Sequence, residues 1–335
     1  MVAAPPVLVT GGAGYIGSHV VLSLLDAGLS PVVLDDLSTG TVDAIPAGVP
    51  FVQAKVGDEG VAAGLIRKFG IEEVIHLAGS IDVQESLLRP DKYYENNVAQ
   101  TILLANACAS AGVRRFIFSS TCAVYGNAGC EPVTEKSTVE PLTPYAKSKY
   151  MAESVLKDLA SCTGMRTVSL RYFNVAGADA GGRSGQRAVD SPQLIARVAA
   201  FASGRRDAIE VFGTDCRTRD GSCARDYIHV SDLADAHLSV LKYMREGGGI
   251  QVFNCGYGRP VTVLEIIAAM EKISGRAIPY VPRGRRAGDA ESVVACGRLL
   301  QEATGWRARH DDLETILATA WAWHQGMHAT RQFEG

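Results

Sequence analysis

The chain has 335 residues, 47% of them hydrophobic and 21% charged, with a formal net charge of −3. That length suits about two domains, or one large α/β domain carrying a smaller one, and the near-neutral charge gives no electrostatic footprint for nucleic acid or an anionic membrane surface. No apolar run is long enough to span a bilayer and the opening residues are too few for a signal peptide, so the expected location is cytoplasmic. The eight cysteines include no C-x-x-C pair and none has a histidine at ligand spacing, so buried free thiols are expected and no metal site.

An apolar strand over residues 7–9 runs into Thr10-Gly11-Gly12-Ala13-Gly14-Tyr15-Ile16-Gly17-Ser18-His19, and an apolar-periodic helix follows over 16–27. Strand, tight glycine turn and helix form the setting that a G-x-G-x-x-G dinucleotide fingerprint needs, with Gly12, Gly14 and Gly17 in register. One glycine supplies the backbone angles of the turn, one lets the main chain approach a pyrophosphate, and one lets helix and strand pack closely. The free N–H groups of the new helix then face the diphosphate. A second strand, 31–34, ends in Asp35-Asp36, and Asp35 lies 18 residues beyond Gly17. A carboxylate there accepts bonds from ribose hydroxyls and repels a 2′-phosphate, which favours NAD over NADP.

Strands at 51–54, 74–77, 116–118 and 168–172 alternate with helices at 59–69, 93–111 and 142–162, the last capped by Thr143 with Pro144 at its first position. Strict alternation means right-handed βαβ units on a parallel sheet covered on both faces. After Gly177 the pattern changes. Residues 178–185 read as a mobile loop, followed by a helix at 192–202, a strand at 210–212, an irregular stretch at 213–223 and Arg225-Asp226-Tyr227-Ile228-His229. A helix at 232–244 and a strand at 251–254 return to the sheet, and helices at 263–273 and 313–323 close the chain. The expected fold is α/β: a Rossmann-type doubly wound parallel sheet with a smaller mixed α/β C-terminal substrate domain. The NAD-binding domain is 1–177 with a return segment at 232–255, and the second domain is 178–231 and 256–335.

Parallel sheets bind ligands at the carboxyl ends of their strands. Near those ends lie Asp58, Gly79, Thr121 and the helix carrying Tyr145 and Lys149, which are four apart and share one face. Of eleven tyrosines, Tyr145 is the only one followed by lysine at that spacing. A phenol with a reference pKa of about 10 is no base at neutral pH. The Lys149 ammonium and the positive nicotinamide ring both favour the phenolate, and each unit of lowering corresponds to about 1.4 kcal/mol. Thr121 can hold the same substrate oxygen while Tyr145 removes its proton and hydride leaves for the cofactor.

These motifs, together with Leu34–Gly40, Val74–Gly79, Glu85-Ser86, Tyr93–Val98, Phe116–Gly126, Pro144–Lys149, Arg171–Ala178, Ile209–Phe212 and Arg225–His237, are similar to those of the extended short-chain dehydrogenase/reductases, most of all the members that act on UDP-sugars. The resemblance implies a tightly held NAD and reversible C4 epimerisation of a UDP-hexose, UDP-glucose or UDP-galactose, through a transient 4-keto sugar, with Tyr145 as base. It implies cofactor contacts at Gly11, Gly14, Tyr15, Ile16, Gly17, Asp35, Asp36, Ser38, Asp58, Gly79, Asn97, Lys149 and Tyr172. For the substrate it implies Thr121, Tyr145, Asn174, Gln193, Phe212, Arg225, Arg286, Asp289 and Val293, and it implies a homodimer built through residues 93–111 and 142–162. Arginines suit a diphosphate, because a fixed fork of donors pairs with phosphate oxygens.

The chain departs from the pattern in four places. Ser80-Ile81 stand where relatives carry lysine, Gln193 stands for asparagine, Cys296 for aspartate, and Val293 for a larger residue at the sugar pocket. That valine leaves UDP-N-acetylhexosamines open as substrates, and UDP-pentoses and UDP-uronates use the same machinery. A 4,6-dehydratase is excluded, since Cys122-Ala123 follow Thr121 where that reaction needs an acid and a base. A non-catalytic NAD-binding redox sensor is the reading from another class, and it has no need of Tyr145 and Lys149.

Overall fold

The computed structural model describes residues 5–129, 131–188, 191–205, 208–286 and 288–333. The chain enters on β1 (Val7–Thr10), turns at the glycines into α1 (Tyr15–Asp26) and returns on β2 (Pro31–Asp35). There follow β3 (Phe51–Gln53), α2 (Val61–Phe69), β4 (Glu73–His76) and α3 (Val83–Leu88), a helix that the apolar periodicity does not announce and that Asp82 caps. The helix expected at 93–111 is instead α4 (Pro90–Tyr94) and α5 (Gln100–Ser110) joined by a π-helical turn, Glu95–Ala99. Such turns insert one residue and re-aim a side chain; here the side chain is that of Asn97. β5 (Arg115–Thr121), α6 (Pro144–Thr163) and β6 (Arg166–Tyr172) complete the regular half.

The second half is more broken. It runs through β7 (Asn174–Ala176), α7 (Leu194–Ala202), β8 (Ile209–Phe212), β9 (Ala224–His229), α8 (Val230–Arg245) and β10 (Gln251–Cys255). It ends with β11 (Pro260–Thr262), α9 (Val263–Ser274), β12 (Tyr280–Arg283), β13 (Ser292–Val293), α10 (Arg298–Thr304) and α11 (Leu313–Phe333).

The main sheet has seven strands in the order β10-β6-β5-β4-β1-β2-β3, all parallel. Winding reverses at β1, which lies between β2 and β4, so the loops after β1 and β4 diverge and open a crevice at the carboxyl edge. Side chains alternate across the sheet. Val7 and Val9 pack with Val20 and Leu24 of α1 and Leu233, Val240 and Met244 of α8, whereas Leu8 packs with Leu65 of α2, Leu104 of α5 and Leu156 of α6. Burial stabilises each such side chain by about 1.5–3 kcal/mol. Two small sheets, β11-β9-β13 with β7 against β9 and β12-β8, belong to the second half, where α7, α9 and α11 share a separate core.

Residues 178–185, expected to be mobile, are tied down. Arg183 forks onto Asp26 at 2.9 Å through each nitrogen, and the Ser184 hydroxyl meets Ser18 at 2.6 Å. The small residues of that stretch allow a tight turn, and its charges bind α1. Among the described residues no helix is long and apolar enough to cross a membrane, and no group of three or more side chains could hold a metal ion.

Candidate active site

The glycine turn is built for a close guest. Gly11 sits at φ +70°, and a Cβ there would lie 2.6 Å from Ala78 N. A Cβ on Gly17 would lie 2.0 Å from the Gly11 carbonyl oxygen. The left-handed position is therefore Gly11, one residue before the Gly12 of the sequence fingerprint. Gly14 begins α1 without a side-chain cap, and no acidic residue occupies the first turn, so its first N–H groups and positive dipole end are free for an anion. Tyr15 and Ile16 form that first turn, and the Tyr15 hydroxyl donates to Gly177 O at 2.7 Å.

Beside the turn, the buried Asp35 carboxylate accepts from Ala13 N at 2.9 Å and Leu37 N at 2.8 Å. Burial raises its pKa above the ordinary carboxylate value, against the pull of those two bonds. Leu37 is held at φ +61°, alone among the described non-glycine residues. Such a conformation costs about 1–3 kcal/mol, and the Asp35 bond helps to hold it. Asp36 accepts from the exposed Ser38 N at 2.9 Å, and exposed Asp58 accepts from Lys55 N at 3.0 Å. An uncapped helix start, a glycine cradle and a ribose-facing carboxylate fit NAD.

Tyr145 and Lys149 project from α6, whose start is fixed by Thr143 accepting from Ala146 N and by Pro144, a cap worth about 1 kcal/mol. The Lys149 ammonium is fully buried, donates to Ser119 O at 2.8 Å and lies 4.9 Å from the centre of the Phe118 ring. Burial brings its pKa down to about 8. The Tyr145 phenol is pushed up to about 12 by burial, while its hydrogen bond with Thr121 pulls the other way. Its ring meets Tyr93 edge-on, with centroids 6.4 Å apart. A Cβ on Gly79 would lie 3.0 Å from Asn97 Oδ1 and 3.2 Å from Lys149 Nζ, so these three share one corner. Asn97 braces that corner: its Oδ1 accepts from Ser80 N, and its Nδ2 donates to Ser80 O and Ser148 Oγ. Tyr172 closes the β6 end with its hydroxyl 2.5 Å from His237 Nε2.

The remaining residues come from the second half. β7 carries Asn174 opposite Tyr227 of β9, and β13 sets Val293 opposite Arg225. Arg225 donates to Ala224 O at 2.8 Å, and its charge acts on the half-buried Cys122 thiol beside Thr121. Of the two adjacent arginines, exposed Arg285 is committed to Asp215 and Glu291, whereas the Arg286 guanidinium lies 3.5 Å over the Phe212 ring. Asp289 is exposed and donates its N–H to Arg286 O. A Cβ on Gly288 would lie 2.6 Å from Thr143 Cγ2, so this loop rests on the first turn of the tyrosine helix. Val293 is buried with Val124, Tyr125 and Phe173, and Gln193 accepts from Gln186 Nε2 at 3.0 Å.

A model of the NAD dependent epimerase/dehydratase family matches residues 7–256. The chain belongs to that family. It is 46% identical over 325 residues to a UDP-glucose 4-epimerase of Azospirillum brasilense, covering 97% of this chain and 93% of that one. A UDP-glucose 4-epimerase of Brucella ovis solved with NAD superposes with a TM-score of 0.93 at 41% identity, covering 96% of this chain and 99% of that one. One of Stenotrophomonas maltophila, solved with NAD and formylated UDP-arabinopyranose, has a TM-score of 0.93 at 36% identity and covers 98% of this chain and 100% of its own.

One group at this family site escapes the sequence reading. Glu153, a turn beyond Lys149, is buried with Arg171, which donates to it through Nε at 3.0 Å and Nη2 at 2.6 Å. Ser120 bonds the same carboxylate. Arg171 continues to Tyr125 OH at 2.9 Å, and that hydroxyl donates to Asn254 Oδ1 at 2.7 Å. The signal is present in the spacing, since Tyr145, Lys149 and Glu153 descend one helix face in steps of four.

Proposed function

We propose that Tyr145 is the base that takes the proton from the 4-hydroxyl of a UDP-hexose, with Thr121 holding the same oxygen and Lys149 stabilising the phenolate. The chain is an NAD-dependent isomerase that interconverts UDP-glucose and UDP-galactose through a 4-keto sugar. The bound cofactor supplies the acceptor, and then the donor, of the C4 hydride. The observation that carries the residue assignment is the convergence of Thr121, Tyr145 and Lys149 between the glycine cradle and the strand bearing Arg225.

Magnitudes show why the groups must act together. Bringing a phenol from about 12 to near neutrality requires roughly 7 kcal/mol of preferential stabilisation of its anion. One hydroxyl at Thr121 cannot supply that. The Lys149 ammonium and the positive charge of the oxidised ring supply the rest in a site of low dielectric.

The glycine turn with Asp35, Asp36, Ser38, Asp58 and Asn97 serves the cofactor within 1–177 and 232–255. Arg225, Arg286, Gln193, Phe212 and Asp289 serve the uridine diphosphate within 178–231 and 256–335, joined by Asn174 from the end of the first segment, and Val293 borders the sugar. The oligomer is a homodimer through residues 93–111 and 142–162, supported by the exposed apolar side chains of Leu103, Leu142 and Met151; mass measurement in solution tests it. Purified protein mixed with UDP-galactose, without added NAD, should yield UDP-glucose. No conversion with NAD present would refute the reading. Comparing UDP-GlcNAc and a UDP-pentose with UDP-glucose measures how much room Val293 leaves.

A further inference from the structure

The reaction described above uses Tyr145 and Lys149 but leaves unexplained the third ionised group on their helix face. Lys149 shares one face of α6 with Tyr145 and Glu153, four residues away on either side, and the groups around it are Glu153, His76 on β4, Phe118 and the Ser119 carbonyl on β5, Gly79 after β4, and Asn97 in the π-helical turn. His76 is buried and brought down to about 3, so it is neutral throughout the working range. Tyr145 is a neutral phenol until it gives up its proton. Among these groups the one anion is Glu153, and it is already gripped by the Arg171 fork and the Ser120 hydroxyl. Two buried cations, Lys149 and Arg171, therefore share one carboxylate.

Resting on the catalytic reading above, we infer that Glu153 is a positioning residue: locked in place by Arg171 and Ser120, it keeps the Lys149 ammonium charged beside Tyr145 and so sets the alkaline edge of activity. Arg171 fixes the carboxylate rather than quenching it, because a bidentate pair removes rotameric freedom while leaving a charge that acts on Lys149. Ser120 links it to the strand end that carries both Thr121 and the carbonyl holding Lys149. Burial alone brings the lysine down, and Glu153 raises it again. Loss of that anion lets Lys149 discharge at lower pH, and the phenolate loses its partner.

The test is the pH profile of kcat for UDP-galactose, measured on protein with its bound NAD. In Glu153→Gln the alkaline limb should move down by about one pH unit or more, leaving roughly ten-fold less activity than wild type well above the limb. Glu153→Asp, which keeps the charge, should restore much of the shift. A buried pair replaced by apolar groups of similar bulk is often tolerated, so the double variant Glu153→Leu with Arg171→Leu guards against misfolding of the single one. It should move the limb in the same direction. Folded Glu153→Gln or double variant with the wild-type limb, or a loss uniform across pH, overturns the inference. Absence of turnover in the wild type overturns the catalytic reading as well, which distinguishes the two failures.

Discussion

The two banks of the cleft are built differently. On the cofactor bank, functional groups gather at the carboxyl ends of the parallel strands and are held by the main chain: Asp35 by two backbone N–H groups, Lys149 by the Ser119 carbonyl, Asn97 by the N–H and C=O of Ser80. On the sugar bank, strands are two to six residues long, and Arg286 and Asp289 ride a loop that meets the opposite bank at Gly288 on Thr143. Prepaid order lowers the entropy of binding and suits a group that stays. A looser bank suits a ligand that must arrive, rotate and leave.

Substitutions can break this contrast. The largest effect is expected for Gly17→Ala, whose Cβ would lie 2.0 Å from the Gly11 oxygen, a distance no backbone accommodates. The purified variant should carry no NAD and show no activity; retention of the cofactor would refute the close-packing argument. Tyr145→Phe comes next. It should retain NAD, measured by absorbance of the denatured extract, while kcat falls by about 10²–10⁴ with little change in KM. Unchanged turnover would refute Tyr145 as the base.

On the other bank, Arg286→Ala should raise KM for UDP-galactose by about ten-fold, the effect of losing about 1.4 kcal/mol of charge-assisted bonding, and should leave kcat near wild type. A collapse of kcat instead would mean that the sugar bank is as preorganised as its opposite. A further effect is one of stability. The lysine pKa is depressed from 10.5 to about 8, so the unfolded chain binds more protons between these values and stability rises with pH across that window. Below about pH 8 the cost of burying the charge is fully present. Lys149→Met should therefore be inactive yet, as NAD-free protein at pH 7, more stable by up to about 3 kcal/mol. Thermal melts of the two proteins at pH 7 and pH 10 check it, and the gap should narrow at the higher pH.

Legibility follows the same division. The β1–β6 half could be read because buried parallel strands are continuous apolar runs separated by helices of ordinary length. β11 and β13 could not, since two or three residues carry no period, and α3 and α10 are too short to show a face. At the site, Tyr145 and Lys149 announce themselves at a spacing of four, whereas Glu153 needs Arg171, 18 residues onward and on another element, before its charge has a meaning. In the glycine turn, G-x-G-x-x-G and G-x-x-G-x-x-G overlap in Gly11-Gly12-Ala13-Gly14, and the positive φ of Gly11 separates them. The tie of Arg183 to Asp26 was hidden for the same reason as Glu153: its partner is 157 residues away.

After β6 the chain leaves the main sheet, yet β10 comes back to its edge beside β6 and α8 packs against α1. The two banks are thus stitched by repeated passage of the backbone rather than joined by one linker. A single hinge would let the cleft gape and spill a half-converted sugar. That loss would leave the protein holding a hydride with no place to return it. Woven banks make such leakage rare, and turnover number before inactivation is the quantity that the weave protects.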